Sequence, residues 1–472
     1  MGDAEVRAEA RQDSKPSSPR KRGSSDFQRN GAKTLDSRLR GNDEQKQVRA
    51  SAQSGEGDIQ SRAFADLYEM SSGISSTPAQ AGHGAPFLSF STVFNSYFLP
   101  EILPDSMDTS ESEQKTYSIK AGDIFLTRTS ETVDELAMSS VALKDYPHAT
   151  FSGFLKRLRP TAEGQTDPKF MAFYLRSPLF RKTMTNNAVM VLRASLNEQI
   201  FSYLKLLLPD FDTQTCIGEF LHLLYAKIDL NNRINAELEA LAKTIYDYWF
   251  VQFDFPDAHG RPYKSSGGAM VWNDTLKREI PVGWDAAPLE ALVEVVKKGV
   301  GPESFDTTTP YVGLEHIARK CITLSDWSTA DKATSQKVAF RSGDILFGKI
   351  RPYFHKVALT SFDGIASTDA IVMRPRTPDV AGLALETIFA DEFVAAATAS
   401  STGSKMPRAD WSVMRKYGVA VPGDGSDTVA KYQNVFHPLA EKIASHVRQN
   451  RELARLRDWL LPLLMNGQVR VA

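Results

Sequence analysis

Cysteine is nearly absent. The 472-residue chain holds two, Cys216 and Cys321, far apart and without partner spacing. That excludes a disulfide-stapled secreted scaffold and a structural zinc knot, and leads us to expect a reducing cytoplasm. No apolar run approaches the roughly 20 residues that span a bilayer, and the N-terminus is polar where a signal peptide would be apolar. We therefore expect no membrane partner. Neither sign of charge is in excess, with 56 Lys and Arg against 57 Asp and Glu and a net charge of −1. A uniformly basic nucleic-acid binder is excluded, so any surface that neutralises phosphates must arise from local clustering. Catalytic signatures are also missing. There is no G-x-x-x-x-G-K-[ST] phosphate loop and no Asn-Pro-Pro-Tyr-like tetrapeptide. The eight histidines, among them His222, His316, His355 and His437, lack metal-ligand spacing. The expectation is a chain with no catalytic residue, no metal and no cofactor of its own.

What the chain does contain, it contains twice. YSIKAGDIFLTRTS at 117–130 is echoed by VAFRSGDILFGKIRP at 338–352, and each copy is followed by a long helical segment with an Asn-x-Glu-Leu core. Gly122 matches Gly343 at an offset of 221, while Arg159-Pro160 matches Arg374-Pro375, and Asn235 matches Asn450, at 215. A period above two hundred residues is that of a domain with its connector, not of a solenoid repeat.

The internal division follows from this register. Residues 1–60, rich in Ser, Gly, Arg, Asp and Gln, are expected to be a disordered extension, since they cannot bury enough apolar surface to offset chain entropy. Their SSDFQRNGAKTLDSRLRGNDE stretch also resembles a translated repetitive genomic element. The first head is assigned to 61–212, a first long helix to 213–250, a linker to 251–284, a second head to 285–424, and a second long helix with the C-terminal tail to 425–472.

Within the heads, runs rich in Val, Ile, Phe and Leu read as strands: 149–159, 337–341, 344–348, 356–360 and 370–374. Helical patches at 168–175 and 383–397 make each head α+β. In the long helices, Ile217, Leu221, Leu224, Ile228, Ile234, Leu238, Leu241, Ile245 and Trp249 form one apolar stripe. Leu439, Ile443, Val447, Leu453, Leu456, Leu460 and Leu463 form the other. Both predict a coiled-coil seam, with Asn231, Asn235 and Asn450 as polar register markers and Pro438 at the start of the second uninterrupted helix.

The most distinctive segment is YDYWFVQFDFPDAHGRPYKSSGGAMVWNDTLKREIPVGW, from Tyr246 to Trp284. It closely resembles the central conserved region of DNA-specificity subunits of type I restriction-modification systems. RDWLLPLLMNGQVRV at 457–471 is similar to their C-terminal conserved region, and GDILFGKIRPYFHKVAL at 343–359 to an element of their target-recognition domains.

The resemblance implies an α+β fold with two similar target-recognition domains, joined by two long antiparallel coiled-coil helices about a pseudo-twofold axis. It implies a double-stranded DNA partner with a bipartite target, two modification (methyltransferase) subunits, and ATP-dependent restriction subunits. Adenine-N6 methylation and cleavage would be carried by those partners, with S-adenosylmethionine, ATP and Mg bound there.

For DNA contact the sequence nominates Lys349, Arg351, Tyr353 and Lys356, in a turn framed by Gly348 and Pro352, then Lys405 and Arg408. In the first copy it nominates Arg128, Thr129, Arg193, Ser195 and Asn197. Lys156, Arg157 and Arg159 form a further basic cluster. Phosphate contacts would orient the protein and base contacts would specify sequence. Two alternatives stay open: an assembly scaffold with a degenerate head, and a fragment of a fused restriction-methylase enzyme.

Overall fold

Both halves of the chain build the same four-stranded antiparallel sheet. The computed structural model describes residues 59–471 apart from 76, 131–135, 188–193, 196–197, 298, 333–334 and 404. In the first head the strand order is Tyr68–Ser72, Leu155–Pro160, Ile124–Thr127 and Ser139–Val141. In the second it is Val293–Val295, Ala370–Pro375, Ile345–Gly348 and Val357–Leu359. Ile124–Thr127 and Ile345–Gly348 are buried along their whole length, which is why Ile124-Phe125-Leu126 and Ile345-Leu346-Phe347 read as unbroken apolar runs and not as alternating ones.

A separate antiparallel pair closes each head beside its long helix. Gln60–Ala63 pairs with Lys205–Leu208, and Trp284–Pro288 pairs with Gly418–Pro422. The first head forms this edge without the Pro and Trp that introduce the second. The patch expected as one helix over 383–397 is two, Ala381–Phe389 and Asp391–Ala399.

The first long helix runs Phe211–Tyr246, with Asp210 capping its start by accepting the Thr213 N–H at 2.9 Å, and ends in a π-turn over Asp247–Val251. Its 36 residues extend about 54 Å. The second runs Thr428–Met465 and contains Pro438 in its interior, so it starts ten residues before the position predicted from that proline. One missing hydrogen bond is outweighed by the preceding turns, where Tyr432 and Phe436 are buried in the second head and Gln433 Oε1 accepts the Gly382 N–H at 2.9 Å.

The helices pack antiparallel. Asn231 Nδ2 donates to Asn450 Oδ1 at 2.8 Å, and Asn235 Oδ1 meets His446 Nδ1 at 2.7 Å. In repeat register Asn231 corresponds to His446 and Asn235 to Asn450, so the two bridges exchange under a twofold operation passing between them. The buried line includes Asn231, Asn235 and His446, with Asn450 half-buried, whereas Leu241 and Leu456, assigned to the seam from their spacing, are both exposed.

Each head is clamped by both helices. Leu461, Leu464 and Met465 join Ile217 and Leu221 in the first core, while Ala242, Tyr246 and Phe250 join Tyr432 and Phe436 in the second. Between helix and second head, Phe255 stacks on Tyr263 and Trp284 at 4.8 and 5.1 Å, and a hairpin pairs Met270–Asn273 with Arg278–Pro281. The aromatic linker is therefore a folded brace.

Candidate nucleic-acid interface

The Gly-Asp step that reveals the repeat also fixes the candidate surface. Gly122 and Gly343 adopt φ of 86° and 88°, a conformation that glycine takes without steric cost. The following aspartates are buried and close the turn. Asp123 Oδ2 accepts the Lys120 N–H at 2.8 Å, and Asp344 Oδ2 accepts the Arg341 N–H at 2.7 Å. Each carboxylate is then gripped by the matching arginine of the neighbouring strand, Arg159 or Arg374, through two hydrogen bonds of 2.6–2.8 Å. These bonds hold both guanidinium groups above their ordinary pKa. A bidentate pair of this kind fixes direction as well as distance, so the strand leaving the turn is aimed by it.

At the far end of that strand lie the basic positions. Arg128 is exposed and its N–H donates to Phe154 O at 2.9 Å; Lys349 is half-buried and its N–H donates to Asp369 O at 3.0 Å. One residue further on, both heads make the same long-range connection. Thr129 pairs with Ser195, and Ile350 bridges Arg408. The structure thus joins the two nominated segments of each head at one rim.

In the second head the rim is well defined. Arg351 N–H donates to Pro407 O at 2.7 Å, and Ala409 N–H donates to Lys349 O at 2.8 Å. Arg351 and His355 both have left-handed backbones, φ 50° and 51°, flanking a short turn over Pro352–Phe354. This strained loop is held from below by buried His355, whose Nε2–H donates to Phe389 O at 2.7 Å. Tyr353 and Met406 are 51% and 50% exposed beside the exposed Lys405 and Arg408.

Two groups of basic residues turn inward, contrary to the sequence reading. The Lys356 ammonium donates to Leu314 O, and burial, reinforced by Arg319, lowers its pKa. Lys156 and Arg157 are buried, Lys156 donates to Ser72 Oγ at 2.7 Å and Arg157 to Ser118 O at 2.6 Å, while Arg159 serves Asp123. In a four-stranded sheet covered on both faces, central-strand cations are structural. Sequence reasoning also missed Arg319, whose exposed guanidinium lies 3.9 Å over the Phe354 ring and extends the basic rim. No local motif marks it, since it reaches the rim from a separate segment. Arg193 and Asn197 lie outside the described residues.

Residues 75–240 match the Type I restriction modification DNA specificity domain, a stretch running from the first head into the first long helix. That stretch is therefore similar to the DNA specificity domain of type I restriction-modification systems. It is 24% identical over 276 residues to the Type I restriction enzyme MjaIX specificity subunit of Methanocaldococcus jannaschii, covering 56% of this chain and 60% of that protein. It is 32% identical over 92 residues to the EcoDI specificity subunit of Escherichia coli, covering 19% of this chain and 20% of the relative. The matched region therefore spans less than two thirds of either relative. The fold is similar to that of the crystal structure of the type I restriction-modification S subunit from M. genitalium, with a TM-score of 0.50 at 11% identity over 86% of this chain and 96% of that one. Two-headed architecture with a paired-helix spacer is thus shared at the level of fold. Among the described residues no helix is long and apolar enough to cross a membrane.

Proposed function

We propose that this chain is the non-catalytic subunit that selects the DNA sequence on which a type I restriction-modification complex acts, each head reading one half of a bipartite duplex target. The observation that carries the reading is the repeated rim. In both heads a Gly-Asp turn locked by arginine aims a strand whose end presents a basic residue, Arg128 or Lys349, beside a second polar segment. The two heads are joined by paired helices, the first about 54 Å long and embedded in a head at each end.

One head contacting a few base pairs discriminates weakly, because each good bidentate contact is worth about 1–3 kcal/mol. Two heads on a rigid spacer add their contacts and fix the gap, which raises effective concentration at the second half-site. In the second head Lys349, Arg351, Lys405, Arg408 and Arg319 supply phosphate or guanine contacts, and Tyr353 with Met406 supplies apolar contact to base edges. In the first head Arg128, Thr129 and Ser195 occupy the matching places, with Arg193 and Asn197 in the same segment. Methylation and ATP-driven cleavage belong to two modification subunits and the restriction subunits, which bring S-adenosylmethionine, ATP and Mg.

The test is selection from a randomised duplex library by the full chain purified with its modification subunit. Enrichment of two short motifs at one fixed separation is expected. Enrichment of a single contiguous motif would remove the bipartite reading, and retention of all sequences alike would favour a scaffold.

A further inference from the structure

The cleft where the first long helix, the linker and the second head meet is unused by the proposed reading. It has a volume of about 430 Å³. Its walls carry the rings of Tyr246, Phe250, Phe389 and Tyr417 and an excess of acid: Asp247, Glu386, Asp391 and Glu392 against Lys243 and Arg278. Both cations are already engaged. Lys243 pairs with Asp247 one helical turn on, and Arg278 donates to Phe250 O at 3.0 Å while lying 4.5 Å over the Phe253 ring. Asp391 faces Lys320 at 3.4 Å and His355 at 3.2 Å.

Glu386 is the exception. Its side chain is 2% exposed, and Oε1 is buried with no hydrogen-bond partner among the described residues. The neighbouring hydroxyls face each other instead, Tyr246 with Thr387 at 3.3 Å. Burial pushes the Glu386 carboxyl up to about 8, helped by Asp247 and Glu239 and opposed only by Lys243. Tyr432 from the second helix also lies close enough to feel its charge. A buried acceptor left unpaired costs roughly as much as a lost hydrogen bond and needs an explanation.

We infer that this cleft binds an organic cation, a guanidinium or primary ammonium on a slim aliphatic stem, whose head pairs with Glu386 while the surrounding rings cover the stem. Ring faces favour a cation, and Glu392 at the same wall adds to the field. The same chemistry is offered by a free diamine-like molecule and by an arginine side chain of another protein.

Isothermal titration of the full chain with agmatine, and separately with Gly-Arg-Gly amide, separates these sources. The titrations are run near pH 7 in two buffers of different ionisation enthalpy at matched ionic strength. Saturable agmatine binding with release of roughly one proton is expected, falling towards none near pH 10, where the carboxyl is already ionised. Glu386→Gln, which keeps the shape but cannot ionise, should bind about tenfold more weakly and release no proton. Binding of agmatine alone assigns the cleft to a free cation; binding of the peptide as well assigns it to a presented side chain. No saturable binding of either probe, or unchanged affinity in a folded Glu386→Gln protein, overturns the inference.

Discussion

The Arg159 guanidinium holds the buried carboxylate of Asp123 through hydrogen bonds of 2.8 Å from Nε and 2.6 Å from Nη2, and Arg374 repeats this grip on Asp344. Removing one partner leaves a buried donor or charge uncompensated, at a cost of about 3 kcal/mol for a pair whose arginine is partly exposed. Asp123→Asn and Asp344→Asn should each destabilise its own head by about that amount. Chemical denaturation followed by hydrogen exchange checks this, and the loss should stay local to the altered head.

The repeat was legible because this lock needs particular residues. Glycine at the left-handed position, aspartate after it and arginine on a neighbouring strand are spelled out twice, so the duplication and the strands beside the turn could be read, though not the order of the strands in the sheet. Other features have no linear signature. Spacing placed Leu241 and Leu456 in the seam, but the antiparallel partner approaches from the side of Asn231, Asn235 and His446, which spacing alone cannot tell. Pro438 was read as a helix start because propensity favours that, and tertiary burial of Tyr432 and Phe436 overrode it. Lys356 looked free because a sequence does not show the carbonyl of Leu314 waiting for its ammonium.

That last contrast yields a prediction about binding. Lys349→Ala and Arg408→Ala should weaken DNA binding and lower the salt slope by about one each if they meet phosphate, whereas a base contact shows as relaxed choice at one position. Lys356→Met should leave the salt slope unchanged. Anisotropy titrations over a range of salt concentrations measure all three.

At the centre of the helix pair, Asn450 links Asn231 and Asn232, both at 2.8 Å. Asn450→Ala strands the buried Asn231 amide and should cost about 1–3 kcal/mol. Replacing Asn231 and Asn450 together by leucine should recover much of that loss while loosening the register that a polar pair enforces. Thermal melting of the single and double variants gives the comparison.

Glu386 makes stability depend on pH in a stated direction. Its folded pKa, about 8, lies above the usual carboxylate value, so the folded state holds the proton more tightly than the unfolded one. The resulting stability is complete below the ordinary glutamate range and is lost as pH rises through about 8. Wild-type protein should therefore lose stability across that interval, and Glu386→Gln should flatten this part of the curve.

On the proposed reading the helices also set the distance between the heads. Four residues inserted after Asn235 lengthen the first helix by about 6 Å, and the unspecified gap should change by about one or two base pairs with both half-sites retained. An unchanged gap would show that head orientation, not helix length, fixes the spacing.

Single-molecule methylome sequencing addresses the central claim most directly, in a host expressing this chain with its modification subunit against the same host without the chain. The account predicts a new N6-methyladenine motif of two short specified parts at one fixed separation, present only with the chain. If the two subunits co-purify and no new motif appears, or if the motif is one contiguous block, the claim that two matched heads read a split target is contradicted.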